Sequence, residues 1–249
     1  MTGFSVEICA ASIHSAMAAQ EGGAHRVELC DNLVEGGTTP SYGIIQAARD
    51  KLKIRLHVLI RPRGGDFLYT PDELDIIRLD ILKCKELGVD GIVTGFLNGN
   101  GCIDTKLTRE MISLARPMSV TFHRAFDMTR DPFEALLDIQ KTGADRILSS
   151  GQQDKAWQGR SLIRELGIKS DNSPIIMAGA GLTEENIREF AAFTGIKEFH
   201  ATLRSKQTSR MQFRKDGVSM GGSNGIHEYE ILETNAQKVR QFISELEML

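Results

Sequence analysis

The sequence predicts an α/β fold in which residues 1–249 form a single-domain (β/α)8 barrel, the TIM-barrel architecture. Short strand-like segments alternate with amphipathic helical segments eight times along a chain of 249 residues. This alternation indicates a parallel sheet covered by helices. Eight regular pairs favour a closed barrel over an open doubly wound sheet, and no linker rich in Pro, Gly or Ser divides the chain.

The predicted elements follow one another without interruption. The strands are FSVEIC (4–9), HRVELC (25–30), IRLHVLIRP (54–62), DGIVTGF (90–96), MSVTFHRAF (118–126), DRILSS (145–150), SPIIMAG (173–179) and KEFHATL (197–203). The helices lie within 12–23, 40–52, 71–88, 106–117, 131–143, 159–168 and 183–195, and a last helix is expected near 228–248.

Residues typical of helix termini support several of these boundaries. Thr70 precedes Pro71 at the start of the third helix, which places a capping side chain before a proline at the first helical position. Glycine commonly follows the last turn of a helix because it adopts the left-handed conformation easily. Four helices are expected to end at such a glycine: Gly23, Gly88, Gly143 and Gly195.

Composition excludes several classes of protein. Hydrophobic residues make up 41% and charged residues 25% of the chain, as in soluble globular proteins. A formal net charge of −3 gives no electrostatic signal for binding nucleic acid or an anionic membrane. The start of the chain, MTGFSVEICAAS, lacks the pattern of a signal peptide. We therefore expect a cytoplasmic protein whose four scattered cysteines are reduced thiols.

The first two strands contain nearly identical words, VEIC (6–9) and VELC (27–30). Side chains alternate between the two faces of a strand, so the aliphatic residues of each word are expected to face the helices. The other residues then face the barrel axis, with both cysteines at the carboxyl ends of adjacent strands, where the chemistry of TIM barrels takes place. This inward set comprises Glu7, Cys9, Glu28 and Cys30.

The same alternation brings further ionisable side chains to the barrel axis. Barrel interiors are normally apolar, and buried charges are costly unless they are paired or functional. We expect Arg55 and Glu28 to lie deeper and to take part in a structural salt-bridge lattice. The candidate catalytic residues are Glu7, Glu28, His57, His123, Asp127 and His200.

A glycine-rich turn after the seventh strand, in MAGAGLTEENI (177–187), suggests an anion site, because small residues and a helix start let backbone N–H groups converge on a ligand. A tight turn without a ligand is the alternative. Arginines at strand ends could clamp a carboxylate or phosphate. The candidate substrate-binding residues are Arg61, Arg63, Arg124, Gly179, Gly181 and Thr183.

The stretch RSKQTSRMQFRKDGVSMGGSNGI (204–226) is polar and has no regular period. A long loop in a compact domain is usually functional or disordered. We expect it to form a loop after the eighth strand, either as a lid over the catalytic face or as a plain connection.

Six segments, in order, resemble the CutC family of copper homeostasis proteins. They are VEICAAS (6–12), RVELCDNLVEGGTTPS (26–41), VLIRPRGGDF (58–67), VTFHRAFD (120–127), GAGLTEENI (179–187) and FHATLR (199–204). The resemblance runs from residue 4 to the final helix. It implies a TIM barrel that handles copper in the cytoplasm, with Cys9 and Cys30 as Cu(I) ligands.

The residues themselves leave the activity open. Soft thiolates select Cu(I), but neighbouring glutamates raise a thiol pKa, and buried cysteines often serve packing alone. The alternatives are a barrel enzyme doing acid–base chemistry on a small anionic substrate, with or without a divalent metal, and a non-catalytic barrel that binds a small molecule. Self-association into a homo-oligomer through the outer helices also stays open.

Overall fold

Eight parallel strands close into a barrel in the computed structural model, which describes residues 3–215, 217–218 and 228–249. Each strand pairs with the next one, and the first pairs with the eighth, so the predicted (β/α)8 fold is confirmed. The strands are β1 (Ser5–Ala10), β2 (Arg26–Leu29), β3 (Arg55–Leu59), β4 (Gly91–Thr94), β5 (Ser119–Phe122), β6 (Arg146–Ser149), β7 (Ile175–Ala178) and β8 (Glu198–Ala201).

The helices surround the barrel, and all but the last begin and end close to the predicted boundaries. They are α1 (Ile13–Glu21), α2 (Tyr42–Lys51), α3 (Pro71–Glu86), α4 (Thr105–Ala115), α5 (Pro132–Gln140), α6 (Ala156–Ser170), α7 (Ile187–Thr194) and α8 (Ala236–Glu247). A capping box between Thr70 and Glu73 opens α3, and all four predicted C-terminal glycines have positive φ. In the described part of the chain, none of these helices has the length and hydropathy of a membrane span.

The region after β8 differs from the prediction. Residues Arg204–Thr208 form a strand, β9, which pairs antiparallel with β10 (Glu230–Thr234). The prediction of a loop starting at 204 was wrong, as was that of a helix starting near 228. The polar composition of β9 gives no strand signal. Its backbone hydrogen bonds come from a partner strand more than twenty residues away, which local sequence patterns cannot show. The rest of the predicted loop, apart from 209–215 and 217–218, lies outside the described residues.

The two faces of each barrel strand pack against different surroundings. Val6, Ile8 and Val27 are fully buried between the barrel and its helices, as the alternation predicted. Cys9 and Cys30 face inward, where they pack with Leu59 and others in a separate small cluster. The barrel therefore has an apolar outer layer and an interior of mixed polarity.

A lattice of buried ion pairs fills the part of the barrel interior near the amino ends of the strands. Arg26 contacts Glu7 through Nε and lies 2.9 Å from Glu198 through Nη2, and both Arg26 and Glu7 are almost completely buried. Arg146 approaches the same Glu198 oxygen at 2.7 Å. Arg55, which we expected in this lattice, is exposed at the start of β3, so that prediction was wrong. The arginines inside are Arg26 and Arg146, which lie on β2 and β6.

Replacing Glu7 by Gln should lower the free energy of unfolding by about 3–5 kcal/mol, because it leaves Arg26 buried with only one carboxylate partner. Urea unfolding followed by circular dichroism measures this change. The control is Glu110→Gln, which removes one of the two carboxylate partners of Arg78 on the exposed surface and should cost no more than about 1 kcal/mol. Equal effects of the two substitutions would contradict the structural importance of the buried pair.

Candidate functional site

A cavity of about 510 Å³ opens at the carboxyl ends of the barrel strands. Its floor is formed by inward residues of β1, β2 and β8, and its walls by the loops that follow the strands. A volume of this size is typical of sites for small molecules. Predicted site residues in its lining are Cys9, Glu28, Cys30, Arg61, His123, Arg124, Gly181, Thr183 and His200.

The two cysteines meet at the floor of this cavity. The Sγ atoms of Cys9 and Cys30 are 3.1 Å apart, and both residues are buried free thiols. Their strands are adjacent in the barrel, and Cys9 lies beside Glu28 in the pairing of β1 with β2. The contact with Cys30, burial and the Glu28 carboxylate raise the pKa of Cys9 well above its usual value, with His200 acting in the opposite direction.

His200 connects the two barrel carboxylates. Its Nδ1 lies 2.8 Å from Glu7 Oε1, and its Nε2 lies 3.7 Å from Glu28 Oε2. Burial alone would lower the pKa of His200, but Glu28 and Glu7 raise it well above the usual value, so this imidazole is a cation at neutral pH. Burial likewise tends to raise the pKa of Glu7, but Arg26 and His200 lower it strongly, and Glu7 is ionised.

Glu28 is the carboxylate of the barrel strands that lines the cavity. Burial raises its pKa, with the Glu7 charge acting in the same direction, while His200 opposes the shift. Two overlapping groups of possible metal ligands include it: Cys9, Glu28 and Cys30 form one, and Glu7, Glu28 and His200 form the other, each with ligand atoms within 4.8 Å of one another. Because Glu7 already accepts from Arg26 and His200, the first group is the freer of the two.

His123 lines the cavity as a neutral ring. Burial lowers its pKa to about 3, and the nearby Arg61 charge adds to the shift. Its Nδ1 accepts a hydrogen bond from the backbone N–H of Ala125 at 3.2 Å, which places the proton on Nε2. Nε2 has no partner in the part of the chain that the structure describes. The ring therefore offers a donor rather than a basic nitrogen.

His57 lies below the cavity and outside its lining. Burial lowers its pKa to about 4, although the Glu7 carboxylate, 3.9 Å from Nδ1, acts in the opposite direction. A Cβ atom at Gly91 on the neighbouring strand would stand 2.5 Å from its Nε2. A Cβ at Gly95 would stand 2.6 Å from Nδ1 of His123. The two glycines of the β4 region thus make room for the two rings.

The two predicted rim residues after β5, Arg124 and Asp127, differ in their relation to the cavity. Arg124 lines the cavity and contacts Asp127 at 2.8 Å. Asp127 itself lies outside the lining and accepts from Ser149, Ser150 and the backbone of Gln152, so its oxygens are already occupied. This carboxylate holds the loop after β6.

The remaining predicted substrate residues are placed unevenly. Arg63 points away from the cavity and pairs with Glu73 at 2.6 Å and with Asp66. Gly179 lies behind the lining, where a Cβ would meet Leu148 at 2.7 Å. Gly181, with a positive φ of 74°, and Thr183 do border the cavity.

Sequence reasoning missed several residues that define the site. Phe67, Arg204 and Lys238 line the cavity, but they come from loops, from β9 and from the last helix, where strand alternation gives no information. Arg26 was also missed, although its position two residues before Glu28 places it on the inward face of β2. The alternation along β2 was therefore sufficient to predict the inward position of Arg26.

The fold and the site together define a TIM barrel with a buried thiol pair beneath a pocket at the carboxyl ends of its strands. A family model described as the CutC family matches residues 4–205. The chain therefore belongs to the CutC family, as its sequence segments suggested.

Relatives of similar length support this membership. The chain is 51% identical over 235 residues to a family protein CutC from Chromobacterium violaceum, covering 94% of this chain and 95% of the relative. It is 43% identical over 238 residues to the mouse protein named copper homeostasis protein cutC homolog, covering 96% and 88% of the two chains.

Two solved structures superpose on this chain, one of a CutC protein and one that shares only its fold. A crystal structure of CutC from Streptococcus agalactiae superposes with a TM-score of 0.76 at 36% identity, covering 80% of this chain and 98% of the other. N-(5′-phosphoribosyl)anthranilate isomerase from Pyrococcus furiosus superposes with a TM-score of 0.60 at 12% identity, covering 99% and 100% of the two chains, which shows a common fold alone.

The three buried histidines should differ in charge in solution. Because the pKa values of His57 and His123 lie near 4 and 3, both rings should stay neutral at pH 5.5, while His200 should remain a cation at pH 7.5. Long-range ¹H–¹⁵N spectra, assigned with single histidine variants, distinguish these forms. Between those low values and the usual 6.5, the unfolded chain binds more protons at His57 and His123, so their contribution to stability falls as the pH falls.

A protonated His123 at pH 5.5, or a neutral His200 at pH 7.5, would contradict the electrostatic description of the site.

Proposed function

We propose that this protein binds Cu(I) as its cargo through the thiolates of Cys9 and Cys30, in the context of copper homeostasis. The observation that carries the proposal is the 3.1 Å separation of the two buried sulfur atoms at the floor of an accessible cavity. Metal–thiolate bonds are about 2.3 Å long for zinc, so two sulfur atoms at this separation can contact one ion. Relatives with copper homeostasis names support the choice of metal.

The donor set fits Cu(I) better than a hard cation. Thiolates are soft ligands that select Cu(I), whereas Mg²⁺ and Ca²⁺ take oxygen ligands. The raised pKa of Cys9 means that its thiol is protonated in the metal-free protein, and binding must displace that proton. The cationic His200 beside Cys9 favours the thiolate form once the proton leaves.

A cytoplasmic location is part of the same proposal. A site made of two thiols needs both to stay reduced, and glutathione and thioredoxin keep thiols reduced in the cytoplasm. All four cysteines of this chain are free in the structure, which is consistent with that environment.

Anaerobic titration of Cu(I) against a competing chromogenic chelator tests the proposal. The unaltered protein should bind one Cu(I) per chain, and Cys9→Ser/Cys30→Ser should weaken binding by at least about a hundredfold, because oxygen is a poor ligand for this ion. The control is Cys102→Ser, which removes a half-buried loop thiol outside the cavity and should leave binding unchanged. Circular dichroism checks that each variant is folded.

Equal binding by the double variant and the control would make the cysteine pair a packing feature.

A divalent ion on Cys9, Cys30 and Glu28 is the second candidate, favoured by the closeness of the three ligand atoms. The substitution Glu28→Gln separates the two readings, because Zn²⁺ accepts carboxylate ligands and Cu(I) prefers sulfur. We expect Glu28→Gln to weaken Zn²⁺ binding about tenfold or more and to change Cu(I) affinity less than about threefold. Tight Zn²⁺ binding with weak Cu(I) binding in the unaltered protein would reverse the assignment.

A further inference from the structure

Arg61 is a buried cation whose charge is not neutralised nearby. It lines the cavity with only 5% of its surface exposed. Its Nη atoms donate to the main-chain carbonyls of Glu35, Gly37 and Gly65 at 2.8–2.9 Å. None of the ion pairs among the described residues includes it. Its Nε is buried without a hydrogen bond of good geometry within that part of the chain, and the Tyr69 side chain lies close to the guanidinium. A buried charge of this kind is costly unless a ligand compensates it.

A second donor without a partner lies on the same wall of the cavity. His123 and Arg61 both contact the ring of Phe67: the His123 and Phe67 ring centres are 4.9 Å apart, and the Arg61 guanidinium carbon lies 5.1 Å from the Phe67 centre. All three side chains line the cavity. The Arg61 charge also contributes to the low pKa of His123.

The charge of the lining favours an anion. Four Arg or Lys side chains line the cavity against two Glu side chains, although the whole chain has a net charge of −3. Lys238 pairs with Glu184 at 3.2 Å and Arg124 with Asp127 at 2.8 Å, so the lining cations without an ion pair among the described residues are Arg61 and Arg204. Leucines at 33, 59, 148, 182 and 203 supply an apolar surface beside the charged wall.

We propose that the cavity binds a small organic anion whose carboxylate or phosphate group contacts Arg61 and His123 and whose apolar part packs against Phe67 and the leucines. A charged oxygen at this wall would offset the buried guanidinium charge and, after a small shift of the His123 ring, would accept from its Nε2, which is buried without a partner in the described residues. This binding site uses residues other than the two cysteines, so it stands independently of Cu(I) binding.

Ligand-induced thermal stabilisation of the metal-free protein, with isothermal titration for the affinities, tests the site. The probes are benzoate, phenyl phosphate, inorganic phosphate and the neutral benzyl alcohol. We expect an aromatic anion to raise the melting temperature and benzyl alcohol to leave it unchanged. The stronger of benzoate and phenyl phosphate identifies the headgroup. The proposal is overturned if benzyl alcohol stabilises the protein as much as the anions do, or if none of the probes stabilises it.

Two substitutions of His123 form a matched pair. In His123→Asn the amide oxygen can still accept from Ala125, but the Nε2 donor is lost; in His123→Gln an N–H donor remains near the position of Nε2. We expect His123→Asn to weaken binding of the stabilising anion at least tenfold and His123→Gln to retain most of it. Equal affinities in the two variants would overturn the role of His123.

Arginine variants complete the test. Arg61→Gln should abolish stabilisation by the anion, whereas Arg63→Gln, which changes a guanidinium outside the cavity, should not. Arg61 also donates hydrogen bonds to loop carbonyls, so Arg61→Gln could fail to fold. In that case the comparison of His123→Asn with His123→Gln still tests the site. The double variant Cys9→Ser/Cys30→Ser should bind the anion normally, which separates failure of this site from failure of the copper site.

Discussion

The ion pair between Glu7 and Arg26 is the interaction on which the rest of the barrel interior depends. Both side chains are almost completely removed from water, so neither charge is tolerable without the other. Glu7 also contacts His200, which in turn faces Glu28, the carboxylate next to Cys9. The Glu28 and Glu7 carboxylates together keep this imidazole protonated. The charge state of the cavity floor therefore depends in part on a pair that lies beneath it and outside the cavity lining.

Much of the fold could be predicted from the sequence, because local patterns carry the information. Helix caps such as Thr70 and the glycines after four helices act within a few residues of the chain. The two-residue alternation placed Glu7, Cys9, Glu28 and Cys30 inside the barrel correctly. The alternation also predicted that both cysteines lie at the carboxyl ends of adjacent strands. The structure brings their sulfur atoms into contact there, because adjacent strands of a closed sheet place equivalent positions side by side.

The parts that could not be predicted depend on contacts between distant segments. Strand β9 forms only because β10 supplies its hydrogen bonds, and nothing in its polar composition reveals that partner. Alternation shows which face a residue occupies but not its depth, so it could not show that Arg55 is exposed at the start of β3. It also cannot show whether an oxygen is already occupied, which is why Asp127 resembled a free rim carboxylate although it holds a loop.

Gly91 and Gly95 show how the interior of this barrel is shared between neighbouring strands. Each lacks a side chain where an imidazole from a neighbouring strand or strand end lies, His57 beside Gly91 and His123 beside Gly95. Neither glycine can gain a methyl group unless the facing ring moves or shrinks, because interiors are close-packed. The size of each ring is therefore coupled to the missing side chain that faces it, so that a larger residue at either glycine position requires a smaller one at the histidine position on the neighbouring strand.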